Sequence, residues 1–280
     1  MSKLRSSVVV PLAFSAAFIG LVAQAAVTTS AVAPEFVKNS ALAWYDAADS
    51  STITADANGV VSAWADKSAH NRTATTRADT SFWSAPVRTT AFGCPCLDFG
   101  CVGSRCDLVY ERMTTIRTVF LVGRFGQDEH VFLLGDDTEY HFHRGSKGEY
   151  FNGQHAKHSR AWNGLAEVAN TTATKIPEDT PQFIACEMKQ NCCSGTLTND
   201  RNCDGTTRNG GRHLFEVIIF DRVLTDDERS AVMTYLQTKW QFDHDPTPYR
   251  QNFRLSSSRA GTSTATIPRT RPRRTSWSTP

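Results

Sequence analysis

Apolar and polar positions change period several times along the chain, and each change marks an element. Residues 214–220 are apolar on both sides of a two-residue repeat: Phe215, Val217 and Ile219 alternate with Ile218 and Phe220. That pattern predicts a strand covered on both faces, as in the inner layer of a sandwich. The period then becomes helical. Thr225 stands where an N-cap belongs, Asp226 and Asp227 fall where the helix dipole favours negative charge, and Glu228 completes a T-x-x-E capping box. Val232, Tyr235, Leu236 and Trp240 follow as one apolar stripe. Upstream, residues 41–45 and 60–64 read as strands. Between them lies Asp56-Ala-Asn58-Gly59, whose Asn-Gly pair predicts a tight hairpin turn. RTVFLVGR (117–124) and HVFLLG (130–135) read as buried strands, with shorter runs at 149–152, 165–168 and 182–189. Many short strands and one capped helix predict an all-β fold, an antiparallel β-sandwich with a short C-terminal helix.

The two ends of the chain differ from the body. Lys3 and Arg5 precede an apolar run at 8–22 and then Ala23-Gln24-Ala25, the layout of a signal peptide cleaved before Ala26. A secreted, periplasmic or cell-surface protein is expected, with no transmembrane segment once the signal is removed. Residues 26–40 read as a lead-in and 41–245 as the sandwich. Residues 246–280 are rich in Ser, Thr, Pro and Arg and are expected to form a disordered basic tail. The formal charge of +2 conceals an asymmetry: the tail holds seven Arg and no acid and the first 25 residues add Lys3 and Arg5, so residues 26–245 carry −7. An acidic body argues against nucleic acid as a partner.

Eight cysteines change the picture further if the chain is exported. Cys94, Cys96, Cys101 and Cys106 form one set, and Cys186, Cys192, Cys193 and Cys203 another. Export favours reading them as disulfides, and the first set lacks the paired C-x2-C knuckles of a structural zinc site. A fully oxidised protein is the expectation, with connectivity open.

Two stretches carry a family resemblance. EVIIFDRVLTDDER (216–229) resembles the C-terminal signature of laminin-G-like domains, and LAWYDAADSSTITADANGVVSAWADKSAHNRTAT (42–75) resembles the opening of such domains in secreted bacterial proteins. LLG followed by YHFHRG (133–135, 140–145) is similar to a further segment of those proteins, and Leu97-Asp-Phe-Gly100 to a fourth, although the cysteines around it depart from the pattern. The likeness spans roughly 41–240. It implies a jelly roll of the concanavalin A-like lectin/glucanase superfamily. That superfold carries lectins, hydrolases and plain adhesion modules, so the resemblance speaks to fold more than to function.

Candidate chemistry is sparse. The E-x-D-x-x-E strand motif of the glucanase branch is absent, and Glu216 and Asp221, five apart on a strand, cannot pair; they read as strand-end partners of Arg222 or backbone groups. Asp46, Asp49, Asp56, Asn58 and Asp66 would suit calcium by type, but their spacing fits no EF-hand and turn roles explain them. His141 and His143, at i and i+2, would share a strand face, with Asp136, Asp137 and Glu139 near enough in sequence to add oxygen ligands to a weak metal site. Trp83, Tyr150 and Trp162 lie in loop-like surroundings near Asn163 and Arg144, the mixture of aromatic faces and hydrogen-bonding groups that sugars need. Trp44, Trp64 and Trp240 read as core. The expectation is a non-enzymatic module that binds a glycan or a cell-surface or matrix polymer. A divergent glycoside hydrolase or lyase, or a purely structural adhesion domain, are the alternatives.

Overall fold

The computed structural model describes residues 32–78, 83–100, 105–125, 132–139, 141–143, 160–169, 176–178, 180–198 and 213–242. All of them belong to one unit, Met1–His244. The expected signal peptide and basic tail, and with them Cys101, Cys203, Arg144 and Tyr150, lie outside the described residues.

Two helices flank the strands. Helix α1 (Glu35–Ser40) falls inside the expected lead-in; it buries Val37 and sets Phe36 6.1 Å from Phe220, centroid to centroid. The early strands are β1 (Ala43–Asp46), β2 (Ile53–Ala55), β3 (Val61–Trp64), β4 (Ala74–Thr75), β5 (Trp83–Ser84), β6 (Val87–Ala91), β7 (Cys94–Asp98) and β8 (Arg105–Cys106). They are followed by β9 (Leu108–Arg124), β10 (Phe132–Gly135), β11 (Phe142–His143), β12 (Arg160–Asn163), β13 (Ala166–Val168), β14 (Pro181–Leu197) and β15 (His213–Phe220), and α2 (Asp226–Lys239) closes the unit. The fold is all-β and antiparallel, with β5 and β8 as a separate parallel pair.

Two 17-residue strands, β9 and β14, organise the sandwich by pairing with each other along their length. The second half of β9 and the first half of β14 carry β15, β1, β7, β6 and β12. The other halves carry β4, β3, β2 and β10. Register shifts between Glu187 and Thr196 separate the two halves, and such irregularities bend strands. The layers meet face to face around Tyr45 of β1, whose ring lies 5.5 Å from Trp64 of β3 and 5.9 Å from Tyr110 of β9. Every residue of β15 is buried, as its two-sided apolar pattern predicts.

Helix α2 begins as its sequence dictates. Thr225 Oγ1 accepts from the Glu228 amide while the Glu228 carboxylate accepts from the Thr225 amide, and Val232, Met233, Tyr235 and Leu236 are buried. The turn at 56–60 differs from the expected two-residue Asn-Gly hairpin. Five residues wrap the Asp56 carboxylate, which accepts from the amides of Asn58 and Val60, and only Gly59 takes positive φ. A two-residue turn occurs instead at Phe92-Gly93, both at positive φ, joining Ala91 to Cys94.

Candidate functional site

The residues that carry the family resemblance are braces rather than a site. Glu216, expected as a strand-end partner of Arg222, is fully buried in mid-strand. It accepts from Trp44 Nε1 (2.7 Å), Tyr235 Oη (2.8 Å), Lys239 Nζ (2.6 Å) and Trp240 Nε1 (2.7 Å). Burial raises its pKa, yet four donors on two oxygens leave no place for a proton, and the ionised form fits the geometry. Arg222 pairs with Glu228 instead. Asp46 is shared by Lys67 and Lys239, Asp49 caps the 3-10 turn Ser50–Thr52, and Asp66 holds the amides of Trp44, Ser68 and Arg72. These carboxylates are engaged in pairs and turns, in line with their turn-like spacing.

The expected aromatic and histidine residues fall into two separate places. Trp162 is not in a loop: it sits on β12, 3 % exposed, with the guanidinium carbons of Arg160 and Arg229 4.7 and 4.1 Å from its ring. Asn163 beside it donates to Gln182 Oε1. A ring so enclosed has no face to offer a ligand, which corrects its assignment as a surface aromatic. The reason is register, since Ala161 and Trp162 pair with Cys186 and Ala185 of β14 and are drawn into the layer.

The second place lies where β4, β5, β8, β9 and the segment after β10 converge. Thr75 pairs with Val109, and continuing that antiparallel register by two residues sets Arg77 opposite Asp107. Arg77 Nε donates to Asp107 Oδ2 at 2.8 Å, while its two terminal nitrogens donate to Asp137 at 3.1 and 2.8 Å. Its guanidinium carbon stands 4.1 Å from the ring of half-buried Trp83, within cation–π range. Trp83 is held beside this pair because β5 runs parallel to β8, Trp83 against Arg105 and Ser84 against Cys106. Asp107 is 1 % exposed, and its Oδ1 has no hydrogen-bond partner among the described residues. Burial pushes its carboxyl up to about 7 although Arg77 pulls the other way.

Next to these, Asp136 is saturated: Oδ2 takes Arg112 Nε (2.8 Å), and Oδ1 takes the amides of Thr138 and Glu139 and the Thr138 hydroxyl. His141 is buried just ahead of β11, its Nδ1 accepting from the Cys193 amide at 2.8 Å. The side chain of His143 is outside the described residues. Among the described residues no three His, Cys, Asp or Glu side chains converge to hold a metal ion. Thr198, with φ of 76°, bonds the Cys106 carbonyl through its hydroxyl and so supports the strand end that carries Asp107.

The disulfide expectation is corrected. The described cysteines Cys94, Cys96, Cys106, Cys186, Cys192 and Cys193 are thiols, not disulfides. Five are buried and fill core positions as small apolar residues do, Cys94 facing the Gln241 carbonyl and Cys192 that of Gln190. Burial pushes the thiols of Cys96 and Cys192 up to about 12.

Sequence reasoning reached Trp83, Asp136 and Asp137, the two acids only as possible metal ligands, but not Arg77, Arg112 or Asp107. The available signal was an acid directly before the apolar alternation of β9, where an unpaired charge would abut the core. No family model matches the chain, and no curated protein is similar enough to it to count as a relative. Among the described residues no helix is long and apolar enough to cross a membrane, which leaves β-barrels aside.

Proposed function

We propose that the chain is an exported laminin-G-like module, a jelly roll of the concanavalin A-like kind, that binds a glycan or surface polymer without turning it over. The observation that carries this is the half-buried Trp83 ring under the Arg77 guanidinium, which also holds the exposed Asp137 carboxylate. An aromatic face suits the C–H side of a pyranose, and flanking carboxylates and guanidiniums suit its hydroxyls. The hydrolase alternative has one point in its favour, a carboxyl that holds its proton near neutrality at Asp107. That group is enclosed, however, and an acid catalyst must reach the glycosidic oxygen.

The test is a glycan array with the protein lacking its signal segment, run with and without calcium. Trp83→Ala is expected to weaken binding by roughly 1–2 kcal/mol, as loss of one aromatic contact does. Chelation should change neither binding nor melting. Normal binding by Trp83→Ala would remove the proposed site, and release of reducing sugar would replace binding by hydrolysis. Export is tested separately, by N-terminal sequencing of secreted material, which should begin at Ala26.

A further inference from the structure

We propose that Asp107, Arg77 and Asp137 form a pH-sensitive latch over the Trp83 ring, closed when Asp107 is ionised and released when it takes up a proton. The latch rests on the ligand-binding reading of Trp83 for its consequence, not for its operation. Arg77 has three attachments: buried Asp107 through Nε, Asp137 through both terminal nitrogens, and the Trp83 ring beneath its guanidinium. Only the first ties it to the interior. Asp137 is more than half exposed, and an ion pair of that kind holds weakly.

Asp107 is built to lose its charge. One oxygen meets Arg77, and the other, Oδ1, is buried with no donor among the described residues, so a proton from solvent has a vacant oxygen to occupy. Two charged groups act on it, from two segments. Arg77, from the segment after β4, favours its charged form, and Asp137, from the segment after β10, opposes it; Cys106 of β8 precedes it in the chain. Asp136 is already engaged by Arg112, and burial raises Tyr110 further from titration. Asp107 therefore changes state close to pH 7, burial being the main cause and the Asp137 charge adding to it. Once Asp107 is neutral, Arg77 still donates to it, but the buried ion pair that ties the guanidinium to the interior is gone. Arg77 then follows Asp137 outward and uncovers the ring.

The test compares the fluorescence of the intact chain with that of Trp83→Phe from pH 5 to 9, so that the difference isolates Trp83. A transition with its midpoint near 7 is expected, flat in Asp107→Asn and equally flat in Arg77→Gln. Two variants are used, each checked by far-UV circular dichroism, so that the result does not hang on the folding of one. No transition, or one that survives Asp107→Asn, overturns the latch. In the ligand arm, one array-positive glycan is titrated at pH 6 and pH 8. The uncovered, binding-competent state falls from about nine-tenths at pH 6 to about one-tenth at pH 8, and apparent affinity falls roughly tenfold. A fluorescence transition without any glycan binding keeps the latch and removes the glycan reading. Binding that is equal at both pH values keeps a glycan site but takes it off the Trp83 ring, the latch itself being decided by the fluorescence.

Discussion

Glu216 draws donors from β1 and α2 onto one carboxylate, so the cost of changing it is set by what is left behind. In Glu216→Gln the amide nitrogen faces Lys239 Nζ or an indole N–H, and buried donors lose their acceptor. Breaking a buried charged pair in this way costs about 3–5 kcal/mol, to be read from urea denaturation. Trp162→Ala belongs with it: removing a buried ring costs about 3–5 kcal/mol, so its main effect is on stability rather than on ligand affinity. Asp107 works in the opposite sense. Its folded pKa is raised from 3.8 to about 7, so its contribution is fully present below pH 4 and is lost as pH rises through 7. The intact chain should therefore lose up to about 4 kcal/mol between pH 4 and 8, each tenfold difference in proton affinity being worth about 1.4 kcal/mol. In Asp107→Asn that part of the stability–pH profile should be flat; an unchanged profile would show that the carboxyl is ionised without penalty.

At the scale of elements, α2 and β15 follow from local rules, and β9 does not. The capping box of α2 is complete in the structure, and Thr225→Ala should cost about 1 kcal/mol in a thermal or urea melt. Arg222, then the Thr225 amide, hold the Glu228 carboxyl down at about 2. A lowered pKa gives stability above the ordinary Glu range that is lost as pH falls toward 2, so the difference between Thr225→Ala and the intact chain should narrow in strong acid. Strand β9 begins at Leu108, nine residues before the expected start at 117. Glu111, Arg112, Thr114 and Thr115 break the apolar alternation there, yet Leu108, Tyr110, Met113 and Ile116 are buried. One face of that half meets β1 across the sandwich and the other carries Arg112 toward Asp136, a division that shows only once β4 and β14 are paired alongside.

For the molecule as a whole, the thiols are the sharpest departure from expectation. Titration of the denatured, unreduced protein should find at least six sulfhydryls; finding none would restore the fully oxidised form. In the native protein half-buried Cys193 should be alkylated first, since the other five described thiols are enclosed, and the raised pKa values of Cys96, Cys186 and Cys192 leave almost no thiolate at neutral pH. What the sequence determined by itself was everything set by neighbours in the chain. Alternation made β15 a two-sided strand, the T-x-x-E box started α2, and the crowding of short strands made the fold all-β. Tertiary structure alone decided partnership. Trp83 and Trp162 have similar local surroundings, but one stands on the short β5–β8 pair with its ring half open, and the other is drawn into β14 and closed between two arginines. Asp107 and Arg77 lie thirty residues apart, and Asp137 sixty from Arg77, so no spacing rule joins them. Their meeting is fixed by the pairing of Thr75 with Val109 and by burial, which turns an ordinary surface pair of side chains into a carboxyl that titrates near neutrality.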